Sequence, residues 1–498
     1  MAARTLMVQG TASHVGKSVF AAALCRLFRR RGYRVAPFKA QNMSNNSYVT
    51  PDGKEIGRAQ AVQAAACGVP PRADFNPILI KPAGDTTAQL VVDGEVAGTL
   101  SANDFGMIRR RCWPHVEQAF NRLAEEFDVI VLEGAGSPAE VNLRDCDVVN
   151  MHMAKHAKAP VLLVGDIDRG GVLASLVGTW TLLDREDRRH LRAFAVNKFR
   201  GAAGLLESGL ARVTRETGMP CAGVVPHWRE MEIPDEDSLG WDGWHRRVAV
   251  RPDRVVVGIV DVPAISNFTD FEPLACEPDV ELVRLQKATD QKLDALIFPG
   301  SKQTVAALRF VRDRGFDQLA CRVRAEGGAV VGICSGFQLL GLVIRDPDHL
   351  ESAHDEVSGL GLLPVETTFA SPKIVQRVTG QHVESGATLA GYHVRMGRTV
   401  AVSDIQVFME LCSHNSLSQK IDGVSGCNGM VFGTYLHGLF DQSTFRRWWL
   451  NRLRASKGWD GLRETESVSL ELRLDRLADF IGSHLKMPLI ERILEEGL

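Results

Sequence analysis

The sequence predicts an α/β protein of two doubly wound domains, and three observations carry that prediction. Short runs rich in Val, Ile and Leu alternate with helix-period stretches over residues 1–226, the pattern of buried parallel strands joined by crossover helices. The alternation breaks over 227–253 and resumes over 254–498. Each half also places a glycine-bounded turn with a reactive side chain after an apolar run, Lys17 in the first and Cys334 in the second. A length of 498 residues admits two large units or three ordinary ones, and the single interruption favours two.

Taken in order, Leu6–Gln9, Val35–Phe38, Val129–Leu132, Val161–Val164, Phe194–Val196 and Gly223–Val225 read as strands. Ser18–Arg31, Gly57–Cys67, Phe105–Glu126 and Leu205–Thr217 read as the helices between them. Pro234, the run Asp235-Glu236-Asp237 and three tryptophans (Trp228, Trp241, Trp244) mark a partly packed inter-domain connection. Val255–Val260, Val280–Leu285, Ala295–Phe298 and Ala329–Ile333 then form a second strand series, with Thr304–Arg314 as a helix. A strand-rich stretch follows, and Ser443–Ala455 and Leu470–Leu485 read as helices that close the second unit.

Composition excludes several classes. Hydrophobic residues at 45% and charged residues at 24% describe a globular chain. Fifty-eight Lys and Arg against 60 Asp and Glu give a net charge of −2, which argues against a dedicated nucleic-acid binder. No apolar run reaches the roughly 18 residues that would span a bilayer, and the start, Met1-Ala2-Ala3-Arg4, has no signal-peptide layout. A cytoplasmic location is expected. Ten cysteines without a C-x-x-C pair fit neither a disulfide scaffold nor a zinc cluster.

Gly10-Thr-Ala-Ser-His-Val-Gly16-Lys17-Ser18 lies between a strand and a helix. Glycines there let backbone N–H groups approach phosphates, the lysine reaches the terminal phosphates, and the hydroxyl of Ser18 suits magnesium. Five residues separate the glycines instead of four, a variant of the usual loop. Glu133 ends an apolar run ahead of Gly134-Ala-Gly136, at the sheet edge where ligands bind, and supplies the hard oxygen magnesium favours. Asp166 and Asp168 hold a similar position, with helix capping before Gly170-Gly171 as the alternative. Lys39, after Val35–Phe38, is placed to meet the γ-phosphate or a substrate carboxylate, unless it is a surface lysine.

Gly332-Ile-Cys334-Ser335-Gly336 reads as a nucleophile elbow with Cys in place of Ser, a sharp turn that lifts the side chain clear of the sheet. The helix that follows favours the thiolate. Such a nucleophile needs a base, and His437, after the strand-like Met430–Leu436, is the candidate. His152 and His156 have the spacing of a metal pair but lack the intervening glutamate, so a solvated or capping pair is expected. Arg29–Arg31 suit a helix C-terminus. Arg109–Arg111 read as a solvated helix face.

With these motifs in place the whole chain resembles the cobyric acid synthase family, the glutamine-dependent amidotransferases of adenosylcobalamin biosynthesis. The resemblance rests on GTASHVGKS, FKAQNM, DGKEIGRAQ, LEGAGSPAEVNLRDCDVVNM, GDIDRGG, VNKFRG, ISNFTDFEPL, FPGSK, GICSGFQLLG, GLGLLP, MGRT and GTYLHGLFD, which follow one another almost end to end. It implies a dethiobiotin-synthetase-like P-loop domain and a class I glutaminase domain. It makes Cys334 the nucleophile and His437 its base, with the amides of Gly300 and Ser335 as the oxyanion hole. Gly10, Thr11, Gly16, Lys17, Ser18 and Asn197 become nucleotide residues, Lys39 and Asp166 substrate or phosphate residues, and Ser18, Glu55 and Glu133 magnesium ligands.

The resemblance further implies ATP, Mg2+, L-glutamine and a corrinoid as the reaction components, with adenosylcobyrinic acid a,c-diamide amidated at four carboxylates. Ordinary triad glutaminases carry Glu two residues after the histidine; here Leu439 stands there, so the group that orients His437 is unassigned. Two other readings remain. One is amidation of another carboxylate, as in a,c-diamide synthesis. The other is a partition-type ATPase, whose second loop lysine would fall at Ala12.

Overall fold

The computed structural model describes residues 3–83, 86–101, 104–228, 253–412, 420–464 and 468–498. Apart from Trp228, the tryptophan-bearing connection lies almost wholly outside the described residues. Trp228 itself stacks on Phe480, with ring centroids 4.8 Å apart.

Six parallel strands form the first sheet, in the order Cys221–Pro226, Leu191–Phe199, Val161–Asp166, Arg4–Gly10, Val129–Glu133, Val35–Phe38. Arg4–Gly10 is central, with Met7 opposite both Val161 and Leu132. Both faces of such a sheet are covered, so its strands are apolar throughout and not alternating; Val129–Glu133 is buried at every position. A side sheet joins Gln41–Met43, Ile78–Pro82, Thr87–Val92 and Glu95–Ser101, an element that the sequence reading does not separate from the main α/β series.

The second sheet begins as a parallel set, Val280–Leu285, Val255–Val260, Ala295–Phe298, Ala329–Ile333, Val431–Thr434. From Val431–Thr434 it continues antiparallel through Ile421–Gly426 and Gln406–Leu411 to Val365–His382, which pairs with Thr388–Ala401. The order brings the ends of Ala329–Ile333 and Val431–Thr434 side by side. Cys334 and His437 follow those two ends.

One expectation changes. The helices Leu470–His484 and Met487–Glu496, which the sequence groups with the second unit, pack on the first. Leu474, Leu477, Ala478 and Ile481 fall at helical spacing on one buried face. With Ile490 and Ile493, most of that face enters the same core as Leu6, Val8, Phe20 and Leu24. Charge complements the packing. The guanidinium of Arg26 donates to both oxygens of Asp475, at 2.7 and 2.9 Å, Arg30 donates to Asp479 at 2.6 Å, and Arg31 pairs with Glu491. The arginines at the end of Lys17–Arg30 are therefore a docking edge for the last two helices. Leu477→Ala should lower the stability of the nucleotide-binding core by about 2–5 kcal/mol, the range for a buried Leu truncation. Denaturant unfolding with and without ATP reads this out, and the loss should fall on the transition that ATP protects.

Candidate active sites

The loop after the central strand is shaped by contacts that only glycine permits. A Cβ on Gly10 would lie 2.5 Å from Val15 Cγ2, and one on Gly16 2.3 Å from Asn197 Nδ2. Gly16 also has φ +104, a conformation that side chains disfavour. Thr11 N–H donates to the carbonyl of Val164 at 3.0 Å, and Asn197 Nδ2 donates to the carbonyl of Val15 at 2.8 Å. Asn197 thus clamps the loop from the strand Leu191–Phe199, two places along the sheet. Lys17 opens the helix Lys17–Arg30, and its ammonium donates to the carbonyls of Ala12 (2.9 Å) and Gly136 (3.0 Å).

Glu133 is the buried centre of this region, 1% exposed. Its Oε1 accepts from Ser18 Oγ at 2.7 Å and from Lys39 Nζ at 2.9 Å, while Oε2 accepts from Gln63 Nε2 at 2.6 Å. Lys39 is buried against this carboxylate, not exposed. Asn150 holds the next loop, donating to Ala135 O at 2.7 Å and accepting from Ala135 N–H at 3.1 Å. Asp166 pairs with Lys198 at 2.8 Å and caps Asp168 N–H at 2.8 Å; Lys198 also donates to His14 O at 2.7 Å. Asp168 binds Arg200. Neither aspartate caps the helix Val172–Leu182, whose N-cap Gly171 has no side-chain partner; Asp166 instead braces the loop through Lys198.

Glu55 departs from the magnesium-ligand expectation. Its oxygens receive Lys81 at 2.5 Å and Lys373 at 2.6 Å. Burial would raise this carboxyl, but the ammonium groups of Lys373, Lys81 and Lys302 hold it well below the usual range. Two ammonium charges against this carboxylate would repel a divalent cation. Lys373 belongs to the second sheet, so Glu55 joins the two units. His152 and His156 pack edge-on against Trp113, at 4.1 and 5.2 Å, not as a solvated pair. Among the described residues no cluster of three or more His, Cys, Asp or Glu is arranged to hold a metal.

In the second unit Cys334 has φ 55 and ψ −112, the strained geometry of an elbow nucleophile. The turn closes tightly: a Cβ on Gly336 would lie 1.8 Å from Phe298 O, and one on Gly332 2.6 Å from Gly336 O. Cys334 N–H donates to Thr434 O at 2.9 Å, tying the elbow to the strand that leads to His437. Gly300 stands beside the nucleophile; its Cβ would be 3.5 Å from that of Cys334. Ser335 Oγ accepts from Ser301 N–H at 2.6 Å and so joins the two segments expected to line an oxyanion hole.

His437 has the partner that the sequence left unassigned. Its Nδ1 donates to Asp270 Oδ2 at 2.7 Å, and Gly438 N–H donates to Oδ1 at 2.9 Å. Both side chains are buried. Burial opposes charge on the imidazole, yet Asp270 and hydrogen bonding with Cys334 overcome it and raise its pKa to about 10. With Nδ1 held by Asp270, Nε2 is the nitrogen available to the sulfur. This is a Cys-His-Asp arrangement, with its acid 167 residues before the histidine.

A nucleotide loop on one sheet and a cysteine triad on another define an ATP-dependent glutamine amidotransferase. Residues 6–238 match the CobQ/CobB/MinD/ParA nucleotide binding domain, and residues 256–445 match the CobB/CobQ-like glutamine amidotransferase domain. Three relatives named cobyric acid synthase align over nearly the full length. That of Sorangium cellulosum (strain So ce56) is 43% identical over 99% of both chains. That of Carboxydothermus hydrogenoformans is 44% identical over 99% of both, and that of Dehalococcoides mccartyi (strain CBDB1) is 40% identical over 100% of both. The chain belongs to the cobyric acid synthase family and catalyses an amidation of cobalamin biosynthesis. Among the described residues no helix is long and apolar enough to cross a membrane.

Asp270→Asn should leave the fold intact and lower glutamine-dependent turnover on the order of 10²–10⁴-fold, as expected when the acid behind a catalytic histidine loses its charge. Steady-state glutamate release measures it. Turnover near wild type would show that His437 needs no acid behind it.

Proposed function

We propose that the chain converts adenosylcobyrinic acid a,c-diamide to adenosylcobyric acid by ATP- and glutamine-dependent amidation of four peripheral carboxylates. The observation that carries this reading is the pairing, in one chain, of the Cys334–His437–Asp270 triad with the Lys17–Ser18–Glu133 loop site. The relatives' name supplies the corrinoid.

At the triad, His437 accepts the proton of the Cys334 thiol, and Asp270 holds the ring as imidazolium. The thiolate attacks the side-chain carbonyl of glutamine. His437 then gives its proton to the departing nitrogen, so ammonia leaves and a thioester remains on Cys334. The neutral ring takes a proton from water, whose oxygen attacks the thioester to release glutamate and restore the pair. In this reading the amides of Gly300 and Ser335, on the two segments beside Cys334, stabilise the oxyanion.

At the nucleotide site a substrate carboxylate attacks the γ-phosphorus of ATP, giving an acyl phosphate and ADP. Ammonia attacks the acyl carbon and phosphate departs, since a free carboxylate has no adequate leaving group. Lys17 moves from its loop carbonyls to the phosphates, neutralising charge as the phosphoryl group transfers. Ser18 and Glu133 offer adjacent hard oxygens, a donor set that fits magnesium completed by phosphates and water. That ion, when bound, would neutralise phosphate charge. Lys39, paired with Glu133 at 2.9 Å, lies where an incoming anion would meet a cation.

Cys334→Ser should eliminate glutamine-dependent amidation and preserve synthesis from ammonium salts, whereas Lys17→Ala should eliminate both. Product formed per ATP with each nitrogen donor distinguishes them. Loss of the ammonia reaction in folded Cys334→Ser would assign the cysteine to the synthetase chemistry instead. Glu133→Gln should depress the ammonia-dependent reaction but recover in part as magnesium is raised, since an amide is a weaker ligand than a carboxylate. No recovery at any magnesium level would make Glu133 structural.

A further inference from the structure

The triad is not built from the second unit alone. Asp270 lies in the short turn Phe268–Phe271, entered through Asn267 in a left-handed conformation, φ 51 and ψ 42. Two residues of the nucleotide-binding unit hold that entry. Asn46 Oδ1 accepts from Phe268 N–H at 3.1 Å, and Ser47 N–H donates to Asn267 Oδ1 at 2.9 Å. Asparagine enters the left-handed region more readily than most residues, and here its side chain is held there by Ser47 of the other unit.

The same segment reaches the histidine by a second route. Ser47 O accepts from Tyr392 OH at 2.9 Å. Tyr392 stacks on His437, with centroids 5.4 Å apart and planes 25° from parallel. The two also exchange backbone hydrogen bonds, at 3.0 and 3.2 Å. Tyr48 packs on Tyr392 at 5.7 Å. Asn46, Ser47, Asn267 and Tyr392 are all buried, so their hydrogen bonds have little competition from water.

We propose that Asn46 and the strand Ser47–Val49 of the nucleotide-binding unit are a working wall of the glutaminase site, positioning Asp270 and Tyr392 around His437. This rests on reading Cys334, His437 and Asp270 as the glutaminase triad. Asn46 and Tyr392 are positioning residues; neither is assigned contact with the reacting atoms. The arrangement makes glutamine hydrolysis depend on the docked state of the two units, which limits ammonia release from a chain whose synthetase is not in place.

The test uses full-length Asn46→Ala and Tyr392→Phe, with Cys334→Ser as reference. The first removes the acceptor for Phe268 N–H. The second removes only the hydroxyl that bonds Ser47 O and keeps the stacked ring. Around the His437–Asp270 pair the titratable and charged groups are Cys334, Tyr392, Asp441, Glu272 and Arg58, whose guanidinium lies over Tyr48 at 5.6 Å; Asn46→Ala alters none of these charges. The kcat for glutamine hydrolysis should fall about tenfold or more in Asn46→Ala and less in Tyr392→Phe, with KM for glutamine changed less than kcat, because misplacing a catalytic group costs rate more than binding.

Ammonia-dependent amidation should stay within about twofold in both. His437 pKa is raised when folded, so the imidazolium survives to high pH. A loosened Asp270 lets the proton go sooner, and the alkaline limb of glutamine hydrolysis should move to lower pH by about half a unit or more. Wild-type kcat and an unmoved limb in both variants would overturn the inference. So would equal losses with both nitrogen donors at reduced thermal stability, the outcome of a merely structural contact. Full glutamine activity in Cys334→Ser would instead overturn the reading on which the inference rests.

Discussion

A single buried carboxylate, that of Asp270, fixes the geometry of the second active centre. One oxygen takes the ring N–H of His437 and the other the backbone N–H of Gly438, so ring and main chain are set together. A carboxylate taken out of water at such cost persists only where its lone pairs are met by donors. Both are met here, and the ion pair in turn favours the charged form of the ring. The remainder of the site follows outward: Thr434 anchors the elbow that carries Cys334, and the turn that carries Asp270 is anchored in the other unit.

Glu133 plays the corresponding part in the first unit, with a different balance. Its donors are a hydroxyl, an ammonium and an amide, and two of these, Ser18 and Lys39, are groups that a nucleotide or a substrate anion would engage. Glu133 is therefore held by partners able to exchange it for phosphate or metal, whereas Asp270 is held by partners that stay. Glu55 belongs to neither pattern. Held by Lys81 and Lys373, it is a permanent tie across the interface.

Residues whose surroundings are contiguous in sequence were legible: Lys17, Ser18, Glu133 and Cys334 each follow an apolar strand and sit among glycines. His437 was legible once Cys334 demanded a base. Asp270 was not, being one acid among 60 whose partner lies 167 residues away; the only local hint was Leu439 where a glutamate was expected. Glu55 misled for the same reason, since Lys373 is 318 residues distant. Most strands and helices were legible because short apolar runs mark buried strands and a period of 3.6 marks the helices between them. The period of Leu470–His484 revealed an apolar face without revealing which sheet it covers, and the assignment to the second unit followed chain order where packing did not.

That returning tail has a topological consequence. The polypeptide begins one core, leaves to complete another, and comes back to finish the first with Leu474, Leu477, Ile481, Ile490 and Ile493. No single cut between the two sheets yields two finished bodies. A break in the 227–253 connection would strand the closing helices on the wrong fragment and would part Asn46 covalently from the turn it holds. The two chemistries are thus bound by the path of the chain as well as by their shared surface, and a split of this gene at its most obvious seam would divide neither function cleanly.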